Sequence, residues 1–137
     1  MGLFDRLFSL VRRPTEATLS VDAPGLAVVA EAFDPAEADS AVLARSGRWD
    51  PDRPAVLRHR LALPPATVAE VARILARDGW ETRTVSESEG TTRVDALRVQ
   101  RLDALHCAQE RARMAGLAQR FGGDSLGWDA LQPETVR

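Results

Sequence analysis

The chain has no lysine, no asparagine and no tyrosine, and it carries one cysteine, two histidines and no long apolar run. Each scarcity closes a class of function. With Cys107 alone, no internal disulfide can form, so a reducing compartment suits the chain. Two histidines and one thiol fall short of a typical zinc set unless carboxylates join them. His106 and Cys107 are sequence neighbours, so on a helix their side chains diverge by about 100° and cannot share one ion. No stretch approaches the roughly 20 apolar residues of a membrane span. The N-terminus lacks the basic-then-apolar order of a secretory signal. Without lysine there is no phosphate-loop lysine, and Gly122-Gly123 and Gly127 follow a helix instead of opening one. No nucleotide, flavin or pyridoxal signature is present, and no cofactor or metal site is expected.

What is present is arginine. All 18 basic residues are Arg, scattered against 20 acids for a net charge of −2. Codon bias toward Arg, Ala, Gly and Pro accounts for this, and direct nucleic-acid binding, which relies on a clustered positive face, is not expected. At 137 residues and 45% apolar content the chain has the size of one domain that folds without a metal or disulfide.

Residues 1–13 hold the clearest helical pattern. Leu3, Phe4, Leu7, Phe8, Leu10 and Val11 fall within an arc of roughly 160°, opposite Asp5, Arg6, Ser9, Arg12 and Arg13. Pro14 ends it. So short a helix is marginal alone, so its apolar side needs a cover: its own domain, a second copy in a homodimer, or the plane of a membrane surface. Leu3, Phe4, Leu7, Phe8 and Val11 are therefore candidate docking residues. Residues 14–34 read as a linker or a short hairpin, Thr18–Val21 and Leu26–Phe33 around a turn at Ala23-Pro24-Gly25.

From residue 35 to 137 the pattern is that of an α+β domain. Asp34-Pro35-Ala36-Glu37 reads as a helix start, and the acidic 34–52 stretch as a solvated face or a docking surface for a basic partner. Ala55–Leu63 alternates, with Leu57, His59, Leu61 and Leu63 on one side. Pro64-Pro65 breaks that strand, and Thr67 with Glu70 suggests a capping box for a helix reaching Asp78. Gly79 suits a left-handed cap. Trp80–Ser88 is a polar edge strand, Thr92–Leu102 a second, longer one, and Asp103–Phe121 a long Ala-rich helix. Gly127–Leu131 is short enough for a last strand. The order β-α-β-β-α-β is the ferredoxin-like split βαβ, with one helical layer on an antiparallel sheet. Catalysis has no local signature. A His59–Cys107 pair assembled in space would be the sole nucleophile–base arrangement.

Several features together resemble a known family. They are the helix with Asp39, Val42 and Leu43; the loop Trp49-Asp50-Pro51-Asp52-Arg53-Pro54; the strand around His59; Asp78-Gly79-Trp80; and the ending Phe121-Gly122-Gly123 followed by Gly127-Trp128. Over roughly residues 36–131 the chain resembles the RraB family, regulators of ribonuclease E activity. Ser125-Leu126 stands where that family has Tyr-Asp. The resemblance implies a ferredoxin-like, non-catalytic, cytoplasmic protein that inhibits ribonuclease E by binding it and so damps RNA decay. It also implies that Asp50, Pro54, His59, Gly79, Gly122, Gly123, Gly127 and Trp128 are family-motif residues with a structural role. Two other readings stand beside it. One is a peripheral adapter held at the inner membrane surface by residues 2–13. The other is a small-molecule sensor with a cleft near His59.

Overall fold

Alternation in Ala55–Leu63 organises the molecule. Ala55, Leu57, His59, Leu61 and Leu63 are buried on one side of this strand, while Arg58, Arg60 and Ala62 on the other side are only half-buried. The computed structural model describes residues 19–134. Along the chain come β1 (Leu26–Ala32), α1 (Asp39–Arg45), β2 (Ala55–Leu63), a single 3₁₀ turn (Pro65–Thr67) and α2 (Val68–Ala76). There follow β3 (Glu81–Ser88), β4 (Thr91–Gln100), α3 (Ala104–Arg120) and β5 (Asp124–Pro133). The fold is α+β. Five antiparallel strands lie in the order β1-β5-β2-β4-β3, with the three helices packed on one face.

The core lies between that face and the helices. Leu57, Leu61, Leu63, Val94, Ala96, Trp128 and Ala130 come from the strands. Val42 from α1, Val71 and Leu75 from α2, and Cys107, Met114 and Ala118 from α3 close over them. The two longer helices end alike. After α2, Gly79 takes φ +83, its N–H donates to Ala76, and the Trp80 N–H reaches back to Leu75. After α3, Gly122 takes φ +82, donates to Gln119, and Gly123 reaches back to Ala118. This paired bonding satisfies the last carbonyls, and its left-handed residue is the reason for glycine.

Four local expectations are corrected. Leu26–Ala32 is not half of a hairpin within a 14–34 linker; it is a strand of the main sheet, paired with β5 at the far end of the chain. A local hairpin would have left its apolar residues half-covered, whereas pairing with β5 buries Ala30 and Ala32 in the core. Asp34-Pro35 starts a turn and not a helix, because the Asp34 carboxylate accepts from the Ala36 N–H and closes the chain on itself. The helix begins at Asp39, with no side-chain cap at Ala38. Thr67 forms no capping box, since its hydroxyl donates to the Pro64 carbonyl. The last strand runs to ten residues, well beyond Gly127–Leu131. The candidate helix at residues 1–13 lies outside the described residues.

Two glycines predict opposite stability changes. A Cβ at Gly123 would collide with the Ala62 carbonyl oxygen, which is backbone of β2 and cannot yield. Gly116 lies inside α3 with open space around it. In urea unfolding, Gly123→Ala should lower stability by about 2 kcal/mol or more. Gly116→Ala should raise it by about 0.5–1 kcal/mol.

Candidate functional site

The residues that the sequence singles out meet along one line through the core. Trp128 on β5 sits opposite His59 on β2 and Ala32 on β1, fully buried. Its Nε1–H donates to Asp39 Oδ1 at 3.1 Å. The same oxygen accepts from Arg111 Nη1 at 2.8 Å, and Arg111 also donates to the Glu37 and Asp34 carbonyls. An acid on α1, a cation on α3 and the indole of β5 are thus joined, and the loop before α1 is clamped with them. Asp39 was read as part of a solvated acidic stretch; it is 6% exposed, and its burial is made tolerable by two donors.

His59 stands next along this line. Its ring lies edge-on to Trp80, with centroids 5.4 Å apart at 78°. Neither ring nitrogen has a hydrogen-bond partner among the described residues. Burial, with Arg111 and Arg98 adding to it, pushes the imidazole down to about 3. On the far side of Trp80, the Arg98 guanidinium stacks 4.1 Å from the ring centroid. Arg98 donates to the Asp78 carbonyl, to Gln100 Oε1 and to Glu110. A cavity of about 240 Å³ opens here, lined by Trp80, Arg98, Gln109, Glu110, Arg113 and Met114. His59 does not line it. His59 is itself 0% exposed.

The nucleophile–base pair weighed from the sequence does not form. His59 makes no hydrogen bond to Cys107, and Cys107 is 1% exposed. Burial first, then Glu110, Asp39 and Asp103, push the thiol up to about 12. A low histidine and a high thiol both hold their neutral forms, the reverse of an activated thiolate–imidazolium pair. His106 is exposed and pairs with the Asp103 carboxylate. Among the described residues, no three of His, Cys, Asp and Glu gather to hold a metal. Nor is any helix there long and apolar enough to cross a membrane.

The remaining motif residues make contacts within the fold. Asp50 anchors its loop by donating its N–H to Gln132 Oε1 at 2.9 Å, and its carboxylate accepts from Asp52. Gln132 in return donates to the Asp50, Arg53 and Pro54 carbonyls, with Pro54 buried against β2. Gly127 takes φ +110, and a Cβ there would strike the Ala32 carbonyl of β1. Leu3, Phe4, Leu7, Phe8 and Val11 lie outside the described residues. One cluster escaped the sequence reading. On the sheet face away from the helices, Arg58 grips Asp129 with both arms at 2.8 and 2.6 Å, and Arg60 adds a third contact at 3.2 Å. Alternation placed Arg58 and Arg60 on one side of β2, but nothing local to residue 129 says that β5 lies next to them.

Two measurements follow. Asp39→Ala would leave the buried Trp128 indole without its bond and the half-buried Arg111 without its carboxylate, and should destabilise by about 3 kcal/mol in urea melts. The double variant Asp39→Ala/Arg111→Met should recover part of that loss. His59 sets an acid limit. An unfolded chain takes its proton near the ordinary 6.5, whereas the folded ring refuses it until about 3. This contribution is therefore whole above 6.5 and is lost as pH falls through that window, by up to about 1.4 kcal/mol per unit. His59→Leu should flatten the slope between pH 7 and pH 5.

No family model matches this chain, and no curated protein matches it either.

Proposed function

We propose that the chain is a non-catalytic regulatory protein of the cytoplasm that binds an RNA-degradation enzyme of the ribonuclease E class and restrains it. The reading starts from the sequence resemblance to the RraB family. The observation that carries it furthest is the convergence of the residues quoted for that resemblance. Asp39 bonds Trp128, Trp128 faces His59, His59 packs on Trp80 just beyond Gly79, and Asp50 is tied to β5 through Gln132. Residues spread over most of the chain form one connected framework, as a shared sequence pattern requires when it specifies a fold.

The topology supports the same reading. From β2 onward the elements run strand-helix-strand-strand-helix-strand, and their strands neighbour in the order β5-β2-β4-β3, all antiparallel. That order supports reading the domain as a ferredoxin-like split βαβ, with β1 as an addition at its edge. Fold alone does not fix function; what directs the reading to binding is the chemistry. The candidate thiol and imidazole are buried in neutral form, and the arginines around the cavity are paired, Arg98 with Glu110 and Arg113 with Asp78. Such a site can hold or present but has no group poised to attack.

The test is direct. Tagged full-length chain should capture ribonuclease E from an extract of its own host, and purified chain should slow cleavage of a fluorescent RNA by that enzyme. No capture, together with an unchanged cleavage rate at saturating chain, would sink the reading.

A further inference from the structure

The line of packed side chains from His59 through Trp80 to Arg98 ends in the cavity between β4 and α3, and its last member is held flat. Trp80 is buried, with His59 against it and the Arg98 guanidinium over its face. Arg98 cannot turn. Its Nε donates to Gln100 Oε1, Nη1 to the Asp78 carbonyl and Nη2 to Glu110. These bonds lie in the plane of the guanidinium, because all five of its N–H groups do. One face is covered by Trp80 and the edges are bonded, so the guanidinium meets the cavity with its other face. Met114 of α3, fully buried, supplies an apolar wall of the same cavity.

Around this flat floor the acceptors are engaged and the donors are not. Both Glu110 oxygens already accept, Oε2 from Arg98 and Oε1 from Gln100 Nε2. Arg113 is exposed and holds Asp78 through Nη2, while its Nε and Nη1 make no hydrogen bond among the described residues. The amide of Gln109, also exposed, lines the same cavity. A molecule that fits here must bring acceptors, and a negative charge on it makes each bond to a guanidinium roughly twice as strong. The volume, about 240 Å³, sets the size. An apolar cavity of about 150 Å³ admits benzene. There is room for one ring with a short substituent, and less than the roughly 300–1,000 Å³ of pockets for drug-sized ligands.

We propose that this cavity binds a small aromatic carboxylate. Its ring stacks on the free face of Arg98 and touches Met114, and its carboxylate takes the unspent N–H donors of Arg113. Trp80, behind Arg98, keeps the guanidinium planar to the ring, a geometry in which arginine and aromatic faces attract. The site does not depend on which enzyme the chain regulates.

Titration of the full chain, followed through the indole N–H signals in proton–nitrogen NMR, tests this. The chain has three Trp, and Trp80→Phe identifies the signal of Trp80. Phenylacetate is the probe. Cyclohexylacetate keeps its charge without an aromatic face, and phenethylamine keeps the ring with the opposite charge. Phenylacetate should move the Trp80 signal along a saturable curve, with a dissociation constant of about 1 mM or tighter. Each control should bind about tenfold or more weakly. Arg113→Gln, at an exposed position, should weaken phenylacetate about tenfold. Arg98→Lys keeps the charge and removes the plane, so it should erase the preference for phenylacetate over cyclohexylacetate. No saturation by about 20 mM phenylacetate would overturn the proposal. Equal binding of cyclohexylacetate by the unaltered chain would do the same, since it describes an anion site without a ring site. Unchanged affinity in Arg113→Gln would also overturn it, and that comparison stands even where Arg98→Lys unfolds.

Discussion

The carboxylate of Asp39 is the point on which the fold's separate pieces agree. It is the end of a seven-residue helix that has no capping side chain of its own. In isolation such a helix would not persist. Its first residue is held because Trp128 and Arg111 both donate to one oxygen, and Arg111 then reaches the two carbonyls just upstream. Remove that oxygen and α1 loses its anchor, Trp128 loses its bond, and Arg111 loses its carboxylate partner. The rest of the helix layer follows from it. With α1 fixed, Val42 and Leu43 seal the end of the sheet that α3 alone does not cover.

His59 shows the other side of the same economy. Asp39 is buried and fully bonded, whereas His59 is buried with no hydrogen bond among the described residues. The imidazole is tolerated as a flat, neutral ring between Trp128 and Trp80, filling space as an aromatic would. Arginines above it at 98 and 111 make a charged form doubly unwelcome. The pattern is that of a packing residue and not of a proton carrier.

What could be read in advance was what local chemistry decides. Ala55–Leu63 alternates strictly and is a strand over that whole span; Gly79 and Gly122 sit where only a left-handed residue closes a helix; Pro64-Pro65 breaks the chain where β2 ends. What could not be read was pairing across long separations. Leu26–Ala32 has poor alternation because its irregular pairing between Val28 and Ala30 interrupts the period, and its partner is about a hundred residues away. Asp34-Pro35 and Thr67 each offered a side-chain oxygen with two local uses, a helix cap or a turn, and the turn won both times. Of the candidate site, the glycines and Trp128 were visible as residues. The Asp39–Arg111 pair and the Arg58–Arg60–Asp129 cluster were not, since each joins elements that only the assembled sheet brings side by side.

The placement of β1 carries a consequence for how this chain is made. Among the described residues its one strand partner is β5, and Glu134 donates back to Gly25 to close the seam. On a ribosome β1 emerges before the other described elements and β5 after them. Leu26–Ala32, with a single charge, must therefore wait through the synthesis of nearly the whole domain as an unpaired, mostly apolar strand. Contacts this distant in sequence also slow folding once the chain is free. The strand's most exposed moment is thus during synthesis, before β5 is there to pair with it.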